Sequence, residues 1–137
     1  MTVARTSETE VHDPYSVAVR DVLIERTRQV VLEGWTPQHD DQHRGGEMAK
    51  AGACYAQCAG IGIAMAAGVE THYEFVAEYE RASCPRPLWP WEARWWKPKT
   101  PRRDLVRAAA LLIAEIERLD RRANYVPDYG DDSEIDT

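Results

Sequence analysis

The spacing of apolar residues along the chain predicts three long helices and one short one. From Tyr15 to Gly34, Val17, Arg20, Ile24, Thr27 and Val31 share a face, with Val19, Leu23 and Val30 beside it, and this face is expected to point inward. Asp21, Glu25, Gln29 and Glu33 recur every four residues opposite it and read as a solvated stripe. Asp13 or Ser16 can cap the start, and Gly34 is placed to stop the helix. Trp35 to Gly46 reads as a loop. A second helix follows from about Glu47 to Val69, with a break conceivable near Gly60–Gly62. Gly within a helix costs about 1 kcal/mol relative to Ala, so the many small residues here imply close approach to a neighbour, within a monomer or across a homodimer. Residues 71–82 carry a short third pattern, with Tyr73, Val76 and Ala77 inward.

Residues 84–100 (CPRPLWPWEARWWKPKT) form no regular element, because four prolines fix φ and remove backbone donors. The stretch nevertheless holds Trp89, Trp91, Trp95 and Trp96, so it must pack on the body or against a ligand. Thr100 and Pro101 then open the last helix as cap and first residue. It runs to about Asn124, with Leu105, Ala108, Ala109, Leu112, Ile116 and Leu119 as its inward stripe and Glu115, Arg118 and Arg122 on its wet side. No strand of useful length emerges. The expected fold is all-α: a small bundle of three to four helices with a long Trp- and Pro-rich loop before the last. A leader at 1–14, one helical domain at 15–124 and an acidic tail at 125–137 complete the organisation.

Composition adds bounds. The 137 residues are 44% hydrophobic and 29% charged, an ordinary soluble balance that excludes a collagen or a wholly disordered chain. Cys54, Cys58 and Cys84 lack framework spacing and the start lacks an apolar leader, so the expected location is a reducing cytoplasm. The apolar run at 51–67 falls short of a bilayer span. The net charge of −6 comes from the two termini. Residues 81–107 carry eight basic side chains against Glu92 and Asp104.

Three constellations bear on chemistry. His39, Asp40, Asp41 and His43, with Glu47 one helical turn on, could bind a divalent ion, Mg²⁺ or Mn²⁺ by ligand type. Their structural alternative is turn hydrogen bonding and helix-dipole complementation. Glu25, Glu33, Glu47, Asp104 and Glu115 are spread over three helices and converge only if the bundle brings them together. In the third, Trp95 and Trp96 interleave with Lys97, Lys99 and Arg103, a composition suited to stacking on bases and contacting phosphates. Its alternative is a strap whose indoles cap the core.

Residues 25–56 (ERTRQVVLEGWTPQHDDQHRGGEMAKAGACYA) and 87–122 (PLWPWEARWWKPKTPRRDLVRAAALLIAEIERLDRR) together resemble a family of short bacteriophage and prophage proteins over about half the chain. That resemblance implies a phage-type protein in a bacterial host and no particular activity. Gly46-Glu47-Met48-Ala49 and Asp104-Leu105-Val106, each opening a helix, are similar at greater distance to the MazG-like all-α nucleotide pyrophosphohydrolases. In that superfamily, acids in E-x-x-E and E-x-x-D patterns hold Mg²⁺ on a nucleoside triphosphate. The likeness implies that Glu47 and Asp104 hold the metal. Lys50 and Pro101 stand where two further acids belong, which leaves Glu33, Asp40, Asp41 or His43 to complete the set. The readings that follow are a metal-dependent hydrolase of a nucleotide or other phosphoanhydride, a non-enzymatic accessory or counter-defence protein that binds a host protein or a nucleotide signal through the Trp/basic loop, and a nucleic-acid-binding module. None involves a membrane.

Overall fold

The computed structural model describes residues 15–69 and 88–129. The expected leader at 1–14, the expected short helix at 71–82, Cys84 and the part of the expected acidic tail beyond residue 129 lie outside the described residues. Among the described residues there are four α-helices, α1 (Val17–Val31), α2 (Pro37–Asp40), α3 (Glu47–Ala66) and α4 (Pro101–Ala123), with a short 3₁₀ turn at Ala93–Trp95. The protein is all-α, as its periodicity predicts.

The caps explain the boundaries. Ser16 accepts from the Val19 amide and Thr100 from the Arg103 amide, with Pro101 in the first turn of α4. Gly34 adopts φ +76 just past α1. The predicted 35–46 loop contains α2, opened by Thr36, whose hydroxyl accepts from the His39 amide. α3 runs unbroken past Gly60 and Gly62.

α4 lies between α1 and α3, and no Cα of α1 comes within 8 Å of α3. α3 and α4 run antiparallel: the Ala49 amide donates to Glu115, and Tyr55 lies against Arg107. They close on Gly52, where an added Cβ would sit 3.2 Å from the Ala108 carbonyl oxygen and 3.3 Å from Leu112. The small residues of α3 therefore do permit a close approach at this point. Met48, Ala51, Cys54, Tyr55, Cys58, Trp96, Ala108, Leu111 and Ala114 make the apolar core.

The buried face of α1 is the reverse of expectation, and on α4 Ala108 is buried and Arg122 exposed as expected while the leucines and Ile116 of the stripe are turned out. On α1, Glu25, Arg26 and Gln29 are buried, while Val17, Ile24 and Val31 are exposed. On α4, Glu115 and Arg118 are each 7% exposed, whereas Leu105, Leu112, Ile116 and Leu119 are 41–56% exposed. Opposite charge is the cause. Glu25 meets Arg28 at 2.8 Å and Arg103 at 2.7 Å, Arg26 meets Asp40 at 2.9 Å, and Glu115 holds Arg118. Buried charge is tolerated when it is paired in this way. Periodicity identifies a stripe, but what lies opposite it decides which stripe is covered.

Candidate binding cavity

The loop before α4 is packed down, and its packing builds a cavity. Tyr55, on α3, stacks on Trp96 at 4.8 Å between ring centroids and meets Trp89 edge-on at 5.6 Å. Trp89 contacts Trp91 at 5.4 Å, and Trp91 reaches Trp35 at 6.0 Å and His43 at 5.6 Å. Trp35 stacks on His39, and His39 meets His43. Seven rings thus form one continuous sheet of contacts. Arg107 clamps it from α4: its guanidinium donates to the Tyr55 hydroxyl at 3.1 Å and to the Lys97 carbonyl at 2.8 Å, and lies 4.9 Å from the Tyr55 ring centroid.

Between this sheet and α1 lies a cavity of about 790 Å³. Glu25, Arg28 and Gln29 of α1, with Glu33 just beyond its end, form one wall, Leu111 and Arg107 belong to α4, and Trp35, Trp91, Trp95 and Lys97 lie on the aromatic side. Arg28 is neutralised by Glu25 and by Glu33 at 3.1 Å. Burial pulls the Glu25 carboxyl upward, but the hydrogen bonds and charges of Arg28 and Arg103 outweigh it and hold the pKa down at about 2. The same carboxylate raises the pKa of Arg28. Among the described residues, Lys97 and Arg107 form no ion pair within 4 Å, although the Arg107 charge is felt by the Asp104 carboxyl.

The expected site residues are dispersed. Trp95 and Lys97 line the cavity, with the Lys97 ammonium 5.8 Å from the centroid of Trp95. Trp96 does not: it is 7% exposed and belongs to the core, whereas Trp95 is 52% exposed. It is a structural anchor of the strap because Tyr55 and Trp89 cover its ring. Lys99 uses its backbone amide, donating to Asp104 at 2.8 Å. Arg103 lines a smaller, separate pocket of about 270 Å³ with Asp21, Ile24 and Arg102. Glu33 and His43 reach the large cavity. Asp40 is fully buried against Arg26, and Asp41 pairs with Arg121 at 2.8 Å.

Glu47 and Asp104 are not brought together. Because α3 and α4 are antiparallel, with Ala49 level with Glu115, Glu47 lies roughly 16 Å or more along the axis from Asp104. Glu47 instead accepts from the Gly45 amide at 2.6 Å and faces His43 at 3.7 Å. Burial works to raise its pKa, but its own amide, that of Gly45 and His43 together lower it. Asp104 is fully buried, with one oxygen unpartnered, and burial raises its pKa despite the Lys99 amide and the nearby Arg107, Arg103 and Lys99 charges. These two residues do not fit one shared divalent ion. Among the described residues, no group of three or more His, Cys, Asp or Glu converges.

Sequence reasoning did not assign Arg28, Gln29, Trp35, Tyr55, Trp89, Trp91 and Arg107 to the site. Trp35 carried a usable signal, as an indole in a predicted loop, whereas Tyr55 and Arg107 were masked by their positions within helical patterns. No protein family, curated protein or solved structure matches the chain. Among the described residues, no helix is long and apolar enough to cross a membrane.

Proposed function

We propose that the protein binds a nucleotide, its base held among the tryptophans and its phosphates met by Lys97 and Arg107. The observation behind this reading is that one cavity joins exposed indole surface to two cationic groups, Lys97 and Arg107, neither held in a close ion pair among the described residues. Its volume of about 790 Å³ lies within the roughly 300–1,000 Å³ typical of small-molecule sites. Trp95 offers a half-open ring for stacking, and the ammonium of Lys97 beside it places a charge where a phosphate tethered to a stacked base would arrive. Glu25 and Glu33, the acidic residues of the α1 wall, are already paired with arginines, so they repel an anion less than their number suggests. Cleavage by a metal held between Glu47 and Asp104 is not part of this reading, since those residues lie at opposite ends of the helix pair.

Titration of ATP, GTP and their monophosphates, followed by tryptophan fluorescence and calorimetry, tests it. Saturable binding that Trp95→Ala abolishes and Lys97→Ala weakens about tenfold, the scale of a lost charge-assisted contact, is the expected result. Silence across the panel overturns it. Binding of single-stranded oligonucleotides alone, with steep salt dependence, would replace it with a nucleic-acid interface.

A further inference from the structure

The exposed face of α4 has a regular design. Leu105, Leu112 and Leu119 are spaced seven residues apart, with Ala109 and Ile116 each four residues after a leucine, so all five fall on one side of a single helix. The stripe from Leu105 to Leu119 is roughly 21 Å long. An aliphatic row of this length, left half-exposed while the opposite side of the same helix buries Asp104, Glu115 and Arg118, is unlike the scattered apolar surface of a monomer.

We propose that this face docks on the same face of a second copy, with the two α4 helices antiparallel about a two-fold axis at Leu112. The row is self-complementary, as an isologous contact requires. Turning it end for end brings Leu105 to Leu119 of the second copy, Leu112 to its own counterpart, and the small Ala109 to the large Ile116. The charges at its ends are complementary as well. Arg102 and Asp120 are eighteen residues apart, five full turns, and so lie on one line along the helix. Arg102 already meets Asp21 of α1 at 2.8 Å through one guanidinium nitrogen and is 60% exposed beyond it. In the antiparallel pair this exposed side also approaches the Asp120 of the other copy, whereas a parallel pair sets like charges together. α3 does not obstruct the approach: Leu112 rests on Gly52, and two turns further along Gly60 has nothing within 4 Å of where a Cβ would stand. The proposal is independent of nucleotide binding.

Sedimentation of the full chain across the micromolar range tests it. The wild type is expected at about twice 15.6 kDa, and Leu112→Glu at 15.6 kDa with its helical circular dichroism retained. A second set of variants keeps the test decisive if Leu112→Glu fails to fold. Asp120→Arg, which leaves the Arg102–Asp21 pair intact, should weaken association about tenfold, two symmetry-related surface pairs being involved, and adding Arg102→Glu should restore it. A wild type that remains a single chain, or a double swap that stays as weak as the single, overturns the proposal.

Discussion

A guanidinium nitrogen of Arg103, in the first turn of α4, lies 2.7 Å from a carboxylate oxygen of Glu25, in the middle of α1. Arg28, one turn along α1, grips the other oxygen of the same carboxylate at 2.8 Å. One acidic side chain, 2% exposed, thereby ties two helices together.

Acid should loosen this tie in a defined window. A carboxyl whose folded pKa is about 2, below its usual 4.5, contributes stability that is complete above about pH 4.5. That stability is lost as the pH falls through the interval down to about 2. The contribution is on the order of 3 kcal/mol. Urea unfolding of the wild type and Glu25→Gln from pH 7 to pH 2 should show the two curves converging at the acid end. Parallel curves would show that the pair contributes nothing.

Asp104 should behave in the opposite sense. Its pKa is raised by burial, so at neutral pH the buried charge destabilises the fold, and protonation relieves that penalty as the pH falls. Asp104→Asn keeps an oxygen for the Lys99 amide and removes the charge. It should match or exceed wild-type stability at pH 7, with any advantage shrinking in acid, while Asp104→Ala should lose about 1 kcal/mol with the hydrogen bond. Denaturant midpoints for the three proteins at pH 7 and pH 4 settle the order.

The neighbouring tryptophans should separate cleanly. Trp96→Ala removes a core ring and should cost about 3–5 kcal/mol, seen as a fall in melting temperature. Trp95→Ala removes a ring that is 52% exposed, with Arg94 and Lys97 over it, and should leave that temperature nearly unchanged. Equal losses would mean that the strap is held as a unit.

Gly52 should be intolerant of bulk. Its missing Cβ already lies within 3.4 Å of Ala108 and Leu112, so Gly52→Val must push α3 and α4 apart, costing about 1–3 kcal/mol. Gly60→Ala, on the open side, should gain up to about 1 kcal/mol from helix propensity. Thermal melts of both variants provide the comparison.

Much of this architecture was legible in the sequence. Ser16, Thr100 with Pro101, and Gly34 act at the positions their chemistry favours, because caps are local. The α2 turn was missed because four residues give no periodicity. The inward faces of α1 and α4 were misread because a charged stripe such as Glu25 and Gln29 looks solvated until Arg103 is known to stand opposite. The same limit applies to the cavity. Trp95 and Lys97 announced themselves by composition, but Tyr55 and Arg107 acquire their roles only through the antiparallel pairing of α3 with α4.

The separation of α1 from α3 has a consequence for local opening. With no Cα of one within 8 Å of the other, the two helices sense each other chiefly through α4 and across the cavity they both line. An empty cavity leaves α1 free to exchange its amide hydrogens in small openings that α3 does not share. A molecule filling the space would touch both walls and make those openings cooperative. Occupancy should therefore be read first in slowed exchange along α1, the helix that buries Glu25, Arg26 and Gln29 and leaves Val17, Ile24 and Val31 exposed.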